Sequence, residues 1–227
     1  MGATIGDILP IAIGVAISPI PIIAVVLLLS TRSGKANALS LLLGWLVGLG
    51  LIGVIVLRAA DPAGASEGDG PATWVGWLLL VLGLAAVFLG IRSWRGRPRG
   101  GEEPPLPKWM AAIDQFTAGK SLGFGFLLSA LNPKNLTLTL AAAAAIAAAG
   151  LSSGDSYIVL AVFVLIGTLG LAIPIGIYFL GGDKAADTLA ELRHWLAINN
   201  ATIMAVLMVV IGAKLIGNGM QVVFADG

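Results

Sequence analysis

The chain has no cysteine among its 227 residues, a single histidine, and charged side chains at only 11% of positions. The lack of cysteine excludes disulfides, thiolate metal sites, iron–sulfur clusters and thiol relays. One histidine, His194, leaves little basis for a zinc or haem centre, so no metal and no cofactor are expected. The net charge of +1 lacks the basic excess of a nucleic-acid binder. A soluble domain carries about 25% charged and about 45–50% apolar residues. Here 58% are hydrophobic, which leaves too little polar surface to cover a soluble fold. The composition is that of an integral membrane protein. Met1 to Pro10 hold Asp7 but no Lys or Arg, so the basic start of a signal peptide is missing and the first apolar stretch is expected to stay as a span.

Six apolar stretches, near 6–30, 36–58, 73–93, 119–149, 155–180 and 200–223, are long enough for about 20 helical residues to cross roughly 30 Å of hydrocarbon. Runs such as Trp77 to Ile91 do not alternate as barrel strands do, so the predicted fold is all-α with six transmembrane helices. Arg32, Lys35, Arg92, Arg95, Arg97, Arg99, Lys108, Lys120, Lys184 and Arg193 fall on one side of such a bundle, and Arg58 alone on the other. The positive-inside rule then puts both termini outside the cytoplasm.

The longest connection divides the chain into a first three-helix unit (1–94), a cytoplasmic linker (95–118) and a second three-helix unit (119–227). Two units of three spans must be oppositely oriented, which predicts a 3+3 inverted repeat. Ser18-Pro19-Ile20-Pro21 interrupts helix 1 and Asn132-Pro133-Lys134-Asn135 interrupts helix 4. Spans 3 and 6 each carry glycines seven apart, Gly83 and Gly90, then Gly212 and Gly219. Apolar faces at Leu106, Trp109, Met110, Ile113 and Phe116, and at Leu189, Leu192, Trp195 and Leu196, suit either short interfacial helices or helix ends reaching the headgroups.

The paired breaks are where chemistry is expected. Proline removes a helical N–H and displaces a carbonyl, and in lipid the freed groups need partners or a wet cavity. Pro19, Pro21 and Pro133 are the helix-breaking residues, and the alternative for them is simple packing kinks. Counting from Gly119 at about 1.5 Å per residue puts Asn132 roughly 20 Å into the membrane. Exposed N–H groups at a half-helix start can hold an anion. Lys134 is the sharpest candidate, because a lysine at the bilayer centre costs at least about 2.5–3.5 kcal/mol. Lys214 is the second, either at a similar height or reaching the outer interface. Together the lysines favour an anionic ligand, with Asn132, Asn135 and Ser18 as hydrogen-bonding partners and Arg32 and Lys35 as headgroup contacts or topology signals. No Asp or Glu lies deep in a span, which disfavours cationic cargo and a carboxylate proton relay. No nucleophile–base pair is visible, so an enzyme is not expected. Gly44 and Gly48 permit close helix contact, inside the bundle or at a homodimer seam.

With these features collected, the sequence resembles the LysE superfamily of six-span exporters, and within it the actinobacterial GAP group of glycopeptidolipid- and sulfolipid-addressing proteins. The resemblance rests on Ser18-Pro19-Ile20-Pro21, on Trp109 through Phe116, on Leu128 through Asn135 with its Asn-Pro-Lys element, and on Leu192 to Leu196 with Asn199-Asn200. It covers nearly the whole chain. It implies a multi-pass protein of the bacterial inner membrane that moves an anionic amphipathic molecule, a lipid or glycolipid precursor, towards the cell envelope. Two other readings stand beside it: a small-metabolite or amino-acid exporter of LysE type, and a non-transporting scaffold for lipid-synthesis or export machinery.

Overall fold

A computed structural model of the chain describes residues 1–60, 73–97 and 108–224, apart from the side chains of 60, 73, 108, 109, 111 and 183. Every regular element among them is helical: α1 (Gly2–Ala16), α2 (Pro19–Leu29), α3 (Gly34–Ala60), α4 (Thr73–Arg95), a 3₁₀ helix (Lys108–Gln115), α5 (Ala118–Phe126), a π turn (Leu127–Leu131), α6 (Pro133–Ala148), α7 (Ser153–Leu180), a 3₁₀ turn (Gly182–Lys184) and α8 (Ala185–Val223). By length and composition α3, α4, α7 and α8 can each cross a membrane, and α1 with α2 makes a fifth crossing if that bent pair is one span. The stretch 119–149, expected as one broken span, is α5, the π turn and α6, each too short to count alone.

Both interruptions follow one local rule. A residue before proline is pushed out of the helical region. Ser18 is accordingly extended (φ −103°, ψ 100°), and so is Asn132 (φ −66°, ψ 122°). The first break bends the chain by 49° between α1 and α2. The second is reached through the π turn, in which Asn132 N–H donates to the Leu127 carbonyl five residues back. α6 ends at Gly150, whose φ of +60° is the left-handed stop that glycine adopts freely.

Small residues set how closely the helices pack. A Cβ at Gly44 would run into the Leu122 carbonyl, and one at Gly125 into that of Leu41, so α3 and α5 lie backbone to backbone. Gly44 and Gly48 are therefore used inside the bundle and supply no dimer seam. Gly170 on α7 meets the Ala16 carbonyl of α1 in the same way. The heptad-spaced glycines of α4 and α8 face each other: a Cβ at Gly83 would lie 2.9 Å from the Gly212 carbonyl, and one at Gly219 2.9 Å from that of Gly76. Trp45, fully buried, donates its indole N–H to the Gly167 carbonyl at 3.3 Å and pins α3 to α7.

Of the two readings of the apolar face at 189–196, the structure takes the helix end. Residues 189–196 are not a separate element but the start of the 39-residue α8, because no glycine or proline between Ala185 and Ile211 interrupts it. At roughly 58 Å it exceeds the roughly 40–45 Å of a bilayer with its headgroups. Leu196 packs on Ile22 and Ile23 of α2, with Leu192 and Met110 beside them. The other apolar face lies on a 3₁₀ helix whose Ile113 is buried; Leu106, the Trp109 side chain and the linker at 98–107 lie outside the described residues. Its end is tied down by Asn37, only 2% exposed, whose side-chain N–H donates to the Phe116 carbonyl at 2.9 Å. Asn37→Ala is expected to cost about 1–2 kcal/mol in thermal unfolding, the loss of one buried hydrogen bond.

Candidate functional site

The two breaks meet. Lys134, on the first turn of α6, reaches across to the end of α1, where its ammonium donates to the Gly14 carbonyl at 2.7 Å and to Ser18 Oγ at 2.5 Å. Chain connectivity explains why those acceptors are available. The last carbonyls of a helix lack intrahelical donors. Pro19 has no N–H for the Val15 carbonyl, so the Ser18 hydroxyl donates to it at 2.6 Å. The Gly14 carbonyl is left for Lys134, an ammonium at the negative end of a half-helix dipole.

Asn135 completes the contact. Its amide N–H donates to the Leu128 carbonyl of the π turn at 2.9 Å, which turns its Oδ1 toward Ser18 Oγ, 3.1 Å away. Ser18 and Asn135 are 2% and 1% exposed, so these polar groups have no bulk water to fall back on. Asn132 acts locally, its Oδ1 accepting from the Lys134 backbone N–H at 3.0 Å. Thr137 and Thr139 donate to the Pro133 and Asn135 carbonyls four residues back, the ordinary use of a helical threonine.

This arrangement revises where an anion would be held. Of the first three residues of α2, only Ile20 carries an N–H; on α6, Pro133 has none and that of Lys134 is taken by Asn132. The half-helix starts therefore offer few free donors. Their dipoles, about half a charge each, are opposed by the ends of α1 and of the π turn at the same place. The charge left over is the Lys134 ammonium. It has three donors, two of which go to neutral acceptors, and among the described residues it has no carboxylate partner.

Lys214 does not share this site. Its Cα lies nine residues before the end of α8, about 14 Å from it, but the side chain runs outward. Its ammonium donates to the Asp7 carbonyl at 2.7 Å and lies 3.4 Å from Asp7 Oδ1. Asp7 precedes Gly14 by two helical turns, so the two ammonium groups grip the same face of α1 about 10 Å apart. Arg32 and Lys35 are exposed beyond α2, about 16 Å of helix from the break, with Lys35 over the Phe179 ring at 5.5 Å.

Sequence reasoning selected Ser18, Asn132, Lys134 and Asn135 but missed Gly14, which contributes only a carbonyl. The signal was there: a proline break orphans the carbonyls of the preceding turn, and Gly14 lies in it.

A family model described as Sap, sulfolipid-1-addressing protein, matches residues 8–221, and the chain belongs to that family. No curated protein and no solved structure matches it.

Proposed function

We propose that this member of the sulfolipid-1-addressing family is an inner-membrane transporter that moves an anionic amphipathic lipid or glycolipid precursor toward the cell envelope. Lys134 takes the acidic headgroup at the meeting of the two breaks. The observation that carries this reading is the Lys134 ammonium, held at the broken helices by the neutral acceptors Gly14 and Ser18. An acidic headgroup would replace those acceptors with the counter-charge the site lacks, while Ser18 and Asn135 offer hydrogen bonds beside it.

The architecture we propose has six crossings in two inverted halves, 1–94 and 119–227, joined by the segment 95–118, with both termini outside. Helix pairing supports it. If α1, α2, α3 and α4 correspond to α5, α6, α7 and α8, then α3 on α5 mirrors α7 on α1, α4 on α6 mirrors α8 on α2, and α4 meets α8 as an equivalent pair. Three pairs break the symmetry: α1 on α6, α7 on α8 and α1 on α8 have no counterparts of similar extent in α5 on α2, α3 on α4 and α5 on α4. Aligning Pro19 with Pro133 puts Ile20 opposite Lys134, so only the second half can place a charge at the centre.

Leu192, Leu196 and Met110, which a scaffold would use to dock partners, pack on α2 within the bundle, and this favours transport over scaffolding, while Trp195 of the same stretch stays exposed. In reconstituted vesicles the protein should speed the crossing of a fluorescent phosphatidylglycerol several-fold over a matched phosphatidylcholine. Equal rates for the two, or rates no faster than in protein-free vesicles, would overturn the proposal.

A further inference from the structure

A second feature lies on the outside of the α4–α8 pair. Gly90, which packs against the Ala205 carbonyl, draws the helices together there, and the larger residues around it leave an open groove of about 390 Å³. Ile91 and Trp94 of α4 and Val206 and Val210 of α8 form its walls, each between 44% and 59% exposed. Arg95 closes one end. Arg97 stands beside it, its guanidinium 3.5 Å from the Trp94 ring and donating to the Trp94 carbonyl at 2.9 Å. The trough itself is apolar, with Arg95 among its lining residues and the Arg97 guanidinium stacked on its Trp94 wall.

We infer that this groove holds an acyl chain of an anionic membrane phospholipid whose headgroup sits against Arg95 and Arg97. The site is separate from Lys134, and neither reading rests on the other. Depth supports the occupant. From Trp74 to Trp94 is about 30 Å of helix, the thickness of the hydrocarbon core, which sets Trp94 and the arginines at the headgroup level. Trp77, Val81, Leu84 and Phe88 continue the exposed apolar face along α4, as expected of a helix lying against lipid. An extended peptide is a poor occupant at that depth, because its backbone groups would go unsatisfied. A lipid tail has none to satisfy. Charge complementarity then selects the headgroup: α4 and residues 192–223 of α8 contain no Asp or Glu, and the acids of α8 nearest the groove, Glu191 and Asp187, lie about 21 and 27 Å of helix from Ala205.

Native mass spectrometry of the full chain in a neutral detergent tests this with dioleoyl phosphatidylglycerol and dioleoyl phosphatidylcholine as probes. The groove is expected to retain one phosphatidylglycerol in preference to phosphatidylcholine. Arg95→Gln should weaken its retention about five-fold, the usual loss for one basic residue at a membrane surface. Val206→Trp, at an exposed wall position, should abolish it by filling the trough, and Val210→Trp should repeat the effect if the first variant folds poorly. Lys134→Met should leave this lipid in place. Equal retention of the two lipids, or of phosphatidylglycerol by the parent, Arg95→Gln and the tryptophan variants, would overturn the assignment. So would a dimer that Val206→Trp converts to monomer, which would give the groove to a second copy of the chain.

Discussion

Lys134→Met is expected to keep the fold and lose the ligand. The substitution deletes an ammonium held by two neutral acceptors and replaces it with an apolar chain of similar length. Removing a half-buried charge that has no counter-charge relieves part of its desolvation cost, so the ligand-free melting temperature should stay near that of the parent or rise. The freed acceptors are not stranded together, because Ser18 Oγ keeps its bond to the Val15 carbonyl and only Gly14 loses its donor. Stabilisation by an acidic lipid should fall at least about ten-fold in apparent affinity, equivalent to about 1.4 kcal/mol. A thermal-shift titration with phosphatidic acid separates the possibilities. A variant that melts well below the parent yet keeps its affinity would make Lys134 a structural clamp on α1.

The second large effect concerns packing close to the site. Gly170→Ala would drive a methyl group into the Ala16 carbonyl, one residue before the first break. That obstacle is backbone, so it cannot move aside by changing a rotamer, and α7 or α1 must shift. Overpacking of this kind costs about 1–3 kcal/mol. For a chain of this size that is a drop of about 2–12 °C in melting temperature. Six residues along the same helix, a Cβ at Gly176 would have nothing within 4 Å. Gly176→Ala should therefore be neutral, or stabilising by up to about 1 kcal/mol through helix propensity. Equal destabilisation by the two substitutions would mean that α7 does not rest on α1 as described. Because the Gly170 contact abuts the end of α1 that presents Gly14 to Lys134, Gly170→Ala should also weaken lipid binding, and Gly176→Ala should not.

The helical class and the two interruptions were legible in the sequence because each has a local cause. Apolar length makes the helices, and proline after Ser18 and Asn132 forces an extended residue at each break. The contact between Lys134 and α1 was not legible, since it depends on which helices become neighbours across more than a hundred residues. The glycines seven apart in α4 and α8 were visible as a likeness between the halves, but not as the surface on which those helices touch. Lys214 shows the limit of counting depth along a helix: its Cα lies well within α8, but a flexible side chain carries the charge outward to Asp7. The start of α8 was left open in the sequence because an amphipathic stretch can belong to a separate interfacial helix or to an extension of a span. Here nothing between Leu196 and Ala201 breaks the backbone ladder.

The central claim is that an acidic headgroup engages the Lys134 ammonium. The most direct measurement is solid-state nitrogen–phosphorus dipolar NMR on protein with ¹⁵N-labelled lysine in glycolipid nanodiscs, where phosphatidic acid is the sole source of phosphorus. The account predicts one lysine Nζ signal dephased by phosphorus at contact distance and absent from Lys134→Met. A dephasing pattern unchanged by that substitution would contradict it.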